Sequence, residues 1–177
     1  MNELDIYPKK IRELSLFSGC GGGVLGGKLS GLKTVCYVEW NKHCQQVLSQ
    51  RIKDGVFDDA PIWDDIKAFD GKEWSGFVDI VTAGFPCQAF SLAGKRMGKG
   101  SDKNMWPDTV RVIGEVRPEW CLLENVPGLL SSGYFGQVLS DLAEVGYDAR
   151  WACLSASSFG APHRRERLWI ICRRFDI

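Results

Sequence analysis

One cysteine of the seven in the sequence stands where it could do chemistry. Cys87 lies in Gly84-Phe-Pro-Cys-Gln-Ala-Phe-Ser91, directly after an apolar stretch that predicts a strand. In open parallel sheets, ligands bind at the carboxyl ends of the strands. A thiolate is a soft nucleophile that can add to C6 of a pyrimidine, make C5 reactive toward a methyl donor, and leave again. A buried cysteine in a turn is the alternative that this stretch alone leaves open.

An acid is predicted beside this cysteine. Glu124-Asn-Val126 ends the next apolar stretch, WCLLENV, so its carboxyl is expected at the same edge of the sheet, partly buried by its apolar neighbours. A carboxylic acid placed there can protonate N3 of the base while the thiolate attacks C6. The alternative is an acid that ends a strand and pairs with a nearby arginine.

The densest basic cluster is Pro162-His-Arg-Arg-Glu-Arg167, which precedes the last predicted strand. Arg165 and Arg167 are two residues apart, so in extended backbone they project the same way, toward a base carbonyl, a phosphate or the Glu124 region. A solvated run of surface charge is the ordinary explanation of such a cluster.

A glycine-rich turn near the start predicts a nucleotide site. The apolar residues 14–17 run into Ser18-Gly-Cys-Gly-Gly-Gly23 and then into a helical pattern. Such turns let backbone and helix N–H groups approach a ligand. Glu39, about 20 residues beyond, can accept hydrogen bonds from both ribose hydroxyls, and Asp65 can accept one from an adenine amino group. Nicotinamide and S-adenosylmethionine cofactors fit this pattern equally, and a tight turn, a solvated Glu39 and a turn-capping Asp65 remain open.

These residues require an alternating α/β fold to bring them together. Apolar strand-like stretches alternate with helical patterns along the chain, which predicts a mostly parallel sheet flanked by helices. Strands are expected at 14–19, 34–40, 77–85, 120–126, 148–154 and 167–173, and helices at 24–31, 41–52, 107–116 and 134–145. Asn41 is predicted to cap the second helix and Gly146 to stop the last one.

Composition limits the class of protein. The 177 residues suit one domain, with 45% hydrophobic and 25% charged residues, as in soluble globular proteins. The formal net charge is zero, so any contact with nucleic acid must come from local clusters. No signal peptide or membrane span is evident, and a cytoplasmic location is expected. The cysteine spacing suggests neither a disulfide framework nor a zinc site, and Cys36, Cys121 and Cys172 are expected to be buried.

Taken together, the motifs around Cys87, Glu124 and Arg165 resemble the DNA cytosine-5 methyltransferase family, in that order and spacing, over nearly the whole chain. The resemblance implies a Rossmann-like S-adenosylmethionine-dependent methyltransferase fold with an antiparallel last strand. It implies methyl transfer to C5 of a flipped cytosine in DNA, with Cys87 as nucleophile, Glu124 as N3 proton donor, Arg165 on the cytosine O2 atom and Arg167 as its structural support.

The resemblance also implies residues that line binding sites. The S-adenosylmethionine pocket would be lined by Phe17, Gly19, Gly21, Glu39, Trp40, Asp65, Ile66 and Pro86. The DNA would be contacted by Gln88, Ser91, Lys95 and Arg96, with Arg167 nearby.

The sequence departs from the family pattern in three places. Ser15 stands where the family usually has an acid, and His163 where it usually has Gln. The third departure is that the sequence stops at Ile177, where the family normally continues into a target-recognition region and a returning helix. The chain is expected to be a single catalytic domain, 1–177, which is either active alone with low specificity or the catalytic part of a split enzyme completed by a second polypeptide. Alternatives left open are a non-catalytic module that binds S-adenosylmethionine or DNA, and a tRNA cytosine-5 methyltransferase.

Overall fold

The fold is an open sheet with helices on both faces. The computed structural model describes residues 10–86 and 104–175. Within these ranges the strands are β1 Ile11–Leu16, β2 Leu32–Val38, β3 Ile62–Trp63, β4 Ile80–Ala83, β5 Trp120–Asn125, β6 Tyr147–Ser155 and β7 Glu166–Arg174. The helices are α1 Gly22–Leu29, α2 Lys42–Lys53, α3 Trp106–Val116, α4 Gly128–Ser131 and α5 Phe135–Glu144, with 3-10 helices at Gly71–Trp74 and Ala156–Phe159.

The strand order brings the carboxyl ends of the central strands together at one edge of the sheet. Along the sheet the order is β3-β2-β1-β4-β5-β7-β6. β1 to β5 are parallel, whereas β7 runs antiparallel to both β5 and β6. The chain moves outward from β1 to β3 and then returns to the other side of β1. A crevice is expected at such a switch point, at the carboxyl ends of β1 and β4.

The two faces of the sheet are filled differently. Tyr37 of β2 packs with Val24 of α1 and with Leu48 of α2 in a small cluster. The opposite face holds the main core, in which side chains of the sheet meet Ile113 of α3 and Leu142 of α5. The helices are therefore held by apolar packing, and the loops at the carboxyl edge are left to carry polar groups.

Local signals explain how several helices begin and end. The Asn41 side chain accepts hydrogen bonds from the N–H groups of His43 and Cys44, which confirms the predicted cap of α2. Pro107 lies in the first turn of α3, where its missing N–H costs nothing. Gly146 has φ 97° after α5, so the predicted stop is confirmed.

The predicted strands and helices are present, with shifted bounds. β1 begins at Ile11, earlier than the expected 14, because Glu13 is buried within it. The strand expected at 77–85 spans only Ile80–Ala83. Its first part is wrong because the N–H groups of Phe77 and Val78 donate to the Trp74 carbonyl in a turn. Among the described residues, no helix is long and apolar enough to cross a membrane.

Candidate active site

The glycine-rich loop after β1 curls tightly. Phe17, Gly19 and Gly21 have φ values of 54°, 56° and 90°, and the Ser18 N–H donates to the Val38 carbonyl. A Cβ atom on Gly19 would meet nothing within 4 Å, so open space lies before this residue. A Cβ on Gly21 would overlap the Phe57 ring, and the Gly21 N–H donates to the Ser18 carbonyl. Gly19 thus leaves room for a ligand, while Gly21 shapes the loop.

Glu39 ties this loop to the end of β2. Its Oε2 atom accepts a hydrogen bond from the Gly19 N–H at 2.7 Å, and its Oε1 atom accepts one from the Asn41 N–H at 2.7 Å. The residue is 9% exposed. A carboxylate offers about four acceptor positions, so each oxygen can accept a further hydrogen bond. The alternative of a solvated strand end is therefore wrong, and the carboxylate can serve ribose hydroxyls while it fixes the loop.

Three more predicted cofactor residues lie at the same edge. Trp40 follows Glu39 and is 73% exposed, a flat apolar surface that the described residues leave open to solvent. Ile66 is buried, whereas Asp65 is half-buried. The Asp65 Oδ1 atom accepts from the Lys67 N–H at 2.9 Å, so this carboxylate caps a turn and retains a second oxygen.

The residues that precede the nucleophile candidate are held firmly. The Phe85 ring is buried and packs against the Trp106 ring, with centroids 5.0 Å apart. The Asn125 Nδ2 atom donates to the Phe85 carbonyl at 3.1 Å, and Asn125 Oδ1 accepts from the Val126 N–H. Pro86 is half-buried. Asn125 therefore connects the end of β5 to the segment that leads into Cys87.

Glu124 lies where the sequence predicted it. A Cβ atom built on Gly84 would be 3.3 Å from the Glu124 Oε2 atom, so the carboxyl lies against the backbone at the end of β4. Its side chain is 30% exposed, which confirms partial burial. Its Oε1 atom is 2.7 Å from the Nε atom of Arg167, at the start of β7. The predicted alternative of pairing with a nearby arginine is thus also observed.

The two arginines of the cluster differ. Arg167 is half-buried and contacts Glu124, because antiparallel pairing of β5 and β7 brings Glu124 opposite Trp169. Arg165 is exposed and precedes β7, with φ 31°. The expectation of extended backbone at Arg165 is wrong, because a positive φ turns the chain before the strand begins. Of the two, Arg167 makes the contact with Glu124, and Arg165 lies exposed at the turn before the strand.

The edge of the sheet thus gathers the predicted residues of β1, β2, β3, β4, β5 and β7. Cys87 and the predicted DNA contacts Gln88, Ser91, Lys95 and Arg96 lie outside the described residues. Three contributing side chains were not identified from the sequence: Asn125, Arg111, which donates to the Ile66 and Phe69 carbonyls, and Glu115, which pairs with Arg111. Asn125 was part of a motif but had no role, and its bond to Phe85 requires the sheet register. Arg111 and Glu115 show only the spacing of an ordinary helical ion pair.

Nucleotide-binding proteins of the Rossmann-like class share this arrangement of a glycine loop and strand-end acids at a switch point. Residues 11–177 match the model of a family described as C-5 cytosine-specific DNA methylase, and the chain belongs to that family. The expected family and the expected fold are both confirmed.

Individual relatives agree with this assignment. The chain is 34% identical over 167 residues to the Type II methyltransferase M.CviJI of Paramecium bursaria Chlorella virus IL3A, covering 93% of this chain and 44% of the relative. It is 33% identical over 171 residues to M.HhaI of Haemophilus parahaemolyticus, covering 94% and 50%. The chain spans about half the length of the curated relatives it matches.

Solved structures share the fold. A structure described as a putative DNA modification methyltransferase encoded within a prophage (E. coli) superposes with a TM-score of 0.75 at 25% identity, covering 94% of this chain and 47% of that one. Spodoptera frugiperda DNMT2 superposes with a TM-score of 0.76 at 24% identity, covering 95% and 51%.

Proposed function

We propose that the chain transfers a methyl group from S-adenosylmethionine to C5 of a cytosine in DNA, through a covalent adduct with Cys87. Membership of the family supports the reaction class. The observation that carries the proposal for this chain is the position of Glu124. Its carboxyl lies against Gly84 at the end of β4, three residues before Cys87, and is held there by Arg167.

In the proposed first step the Cys87 thiolate forms a bond to C6, and the C5–C6 π pair forms a double bond between C5 and C4. The C4–N3 π pair then moves onto N3, which takes a proton from Glu124. C5 then forms a bond to the methyl carbon, whose bond to the donor sulfur breaks, while N3 returns its proton. Finally C5 loses its proton to water, the C5–C6 double bond re-forms, and the Cys87 sulfur leaves.

The residues at the carboxyl edge fit S-adenosylmethionine, which supplies an electrophilic methyl group when bound. Glu39 has acceptor capacity for the ribose hydroxyls, and Gly19 leaves open space before the loop. The exposed face of Trp40 suits an adenine ring. In the proposed pocket, Gly21 shapes the backbone and Asp65 accepts a hydrogen bond from the adenine amino group. The pocket is completed by Phe17, Ile66 and Pro86.

The DNA would be bound with its target base flipped out of the duplex, since the sulfur must approach a ring face. Arg165 is proposed to contact the cytosine O2 atom, and its exposure leaves it free to do so. Arg167 is proposed to hold Glu124 toward the base. Gln88, Ser91, Lys95 and Arg96 are proposed to contact the DNA, and their two basic side chains would supply local charge to a chain with no net charge.

We also propose that the DNA target sequence is recognised by residues other than these 177, either in a second polypeptide or elsewhere in the same polypeptide. The share of each relative that the chain covers, 44% and 50% for the two relatives above, supports this division. A role in restriction-modification is proposed on the Type II names of these relatives, together with a location in the cytoplasm. The 177 residues would then form a single catalytic domain.

Methyl transfer tests the proposal directly. The chain is incubated with tritiated S-adenosylmethionine and either duplex genomic DNA or tRNA, with and without the product of the adjacent reading frame. Nucleosides are then separated by chromatography. Tritiated 5-methyldeoxycytidine from DNA is expected, and Cys87→Ala should abolish it whereas Cys153→Ala should not. Label in tRNA alone would favour the RNA substrate, and binding without transfer in every arm would favour a non-catalytic module.

A further inference from the structure

The segment between β3 and the 3-10 helix carries two of the proposed cofactor residues, Asp65 and Ile66. Its own backbone bonds are short-range: the Ala68 N–H donates to the Asp65 carbonyl, and the Phe69 N–H donates to the Ile66 carbonyl. β3 pairs with β2 over only two residues. Such a segment needs support from elsewhere to hold a fixed shape, because local turns alone open easily.

The Ile66 and Phe69 side chains pack in the main core, and the backbone between them is bonded by one side chain of α3. The Nη2 atom of Arg111 donates to the Ile66 carbonyl at 2.6 Å, and its Nη1 atom donates to the Phe69 carbonyl at 3.0 Å. The planar guanidinium has donors in a fixed fork, so it can hold two carbonyls at a set separation. Both ends of the turn after Asp65 are therefore fixed from beneath.

Glu115, one helical turn further along α3, orients this arginine. Its carboxylate oxygens lie 2.9 and 3.0 Å from Arg111 Nη1. Its Oε2 atom also accepts from the Gly71 N–H at 2.9 Å. A Cβ atom on Gly71 would be 2.9 Å from the Glu115 Cβ, so the backbone here passes as close to α3 as a glycine allows. Arg111 and Glu115 thus hold residues 66–71 along their length.

We propose that Arg111 is a positioning residue for S-adenosylmethionine, acting through Ile66 and Asp65. The assignment rests on the proposed function. Arg111 bonds the carbonyl of Ile66, and thereby sets the depth of this side chain and the direction of the neighbouring Asp65 carboxylate. α3 also contacts Phe85 through Trp106, so the same helix would support the adenine side of the pocket and the described residues that precede Cys87.

Calorimetric titration with S-adenosylmethionine tests this role. Arg111→Met should raise the Kd about tenfold, since losing hydrogen bonds from a charged donor shifts an equilibrium by roughly this factor or more. Arg111→Lys, which can bond one carbonyl at a time, should give an intermediate Kd. In the methyl-transfer assay the KM for the cofactor should rise, while kcat at saturating cofactor stays within about twofold.

Arg12→Met is the matched control. Arg12 forms a similarly half-buried ion pair with Asp79 and donates to the Gly76 carbonyl, but it lies at the opposite, amino-terminal edge of the sheet. Its loss should lower the melting temperature about as much as Arg111→Met and leave the Kd unchanged. Equal Kd values for the two variants would overturn the proposal.

Hydrogen exchange separates this proposal from the proposed function. Without cofactor, the amides of residues 66–71 should exchange faster in Arg111→Met, and in Glu115→Gln if the first variant does not fold, than in wild type or Arg12→Met. Wild-type protein that binds no S-adenosylmethionine would overturn the proposed function and the cofactor role together. Normal wild-type binding with unchanged exchange in both α3 variants would overturn the positioning role alone.

Discussion

The Nε atom of Arg167 lies 2.7 Å from the Oε1 atom of Glu124, across the antiparallel pair β5 and β7. This ion pair joins the two motifs that the sequence separates by about 40 residues. It fixes the carboxyl against Gly84, at the end of the strand that leads to Cys87. The proposed proton donor needs a fixed geometry relative to the base, and the ion pair with Arg167 would provide it.

Glu124→Gln should lower kcat by about 10²–10⁴-fold, because an amide keeps the size of the side chain but cannot deliver the N3 proton. Methyl transfer from S-adenosylmethionine to duplex DNA measures the effect. Glu119→Gln is the control, since Glu119 pairs with Arg173 at the far end of β5. Equal activity of the two variants would remove Glu124 from the chemistry.

Arg167→Met should reduce kcat through Glu124 rather than independently. The Arg167→Met, Glu124→Gln double variant should then be about as slow as Glu124→Gln alone, as expected for groups that act as a unit. Arg173→Met is the matched control and should leave kcat unchanged. Fully multiplicative losses in the double variant would show that Arg167 acts on the substrate by another route.

Glu13 should make stability depend on pH. Its side chain is fully buried and accepts hydrogen bonds from the hydroxyls of Thr34 and Thr82, each at 2.7 Å. Loss of hydration raises its pKa above the ordinary 4.5, although the hydroxyl bonds oppose this. The folded state therefore holds the proton more tightly than the unfolded chain. The contribution of Glu13 to stability should be fully present below pH 4.5 and be lost as pH rises through the raised pKa, by up to about 1.4 kcal/mol per pH unit.

Glu13→Gln should remove this slope, because the amide does not titrate. Urea unfolding at pH 5 and pH 8 measures it. The free energy of unfolding of the variant, relative to wild type, should be higher at pH 8 than at pH 5. The same difference at both pH values would mean that Glu13 does not titrate differently in the folded and unfolded states.

The structural cysteines should resist alkylation in the native protein. Burial raises the pKa of the Cys36 and Cys172 thiols to about 12 and raises that of Cys121 well above its ordinary value. Since the thiolate is the reactive form, iodoacetamide at pH 8 should label exposed Cys20 and Cys153 before these three buried cysteines. Peptide mass spectrometry before and after denaturation checks the order, and early labelling of Cys121 would contradict it.

The sequence predicted the parts of the fold that apolar patterns determine. α2 and its Asn41 cap and the stripes of α3 and α5 follow from periodicity and capping chemistry, whereas the antiparallel direction of the last strand was expected only from the resemblance to the family. The start of β1 was missed because Glu13 breaks the apolar pattern. The buried Glu13 carboxyl accepts hydrogen bonds from the hydroxyls of Thr34 and Thr82 on the neighbouring strands. No local signal reports hydrogen bonds between three strands.

The candidate site was predictable as a set of residues but not as a geometry. The glycine loop, Glu39 and Glu124 were placed correctly, because strand ends of a parallel sheet meet at one edge. The positive φ of Arg165 and the hydrogen bonds from Arg111 to the Ile66 and Phe69 carbonyls depend on tertiary contacts. The spacing of residues along the sequence does not encode such contacts. The distinction between the two arginines therefore required coordinates.

The most direct test of the account is to trap the proposed adduct. Duplex DNA containing 5-fluorocytosine is incubated with S-adenosylmethionine, the chain and any polypeptide needed for methyl transfer, and intact mass is measured after denaturation. Fluorine cannot leave C5 as a proton does, so the account predicts a stable protein–DNA adduct that carries one methyl group and maps to Cys87. Cys153→Ala should form it and Cys87→Ala should not. Methyl transfer to ordinary DNA without any such adduct, or an adduct that survives in Cys87→Ala, would contradict the account.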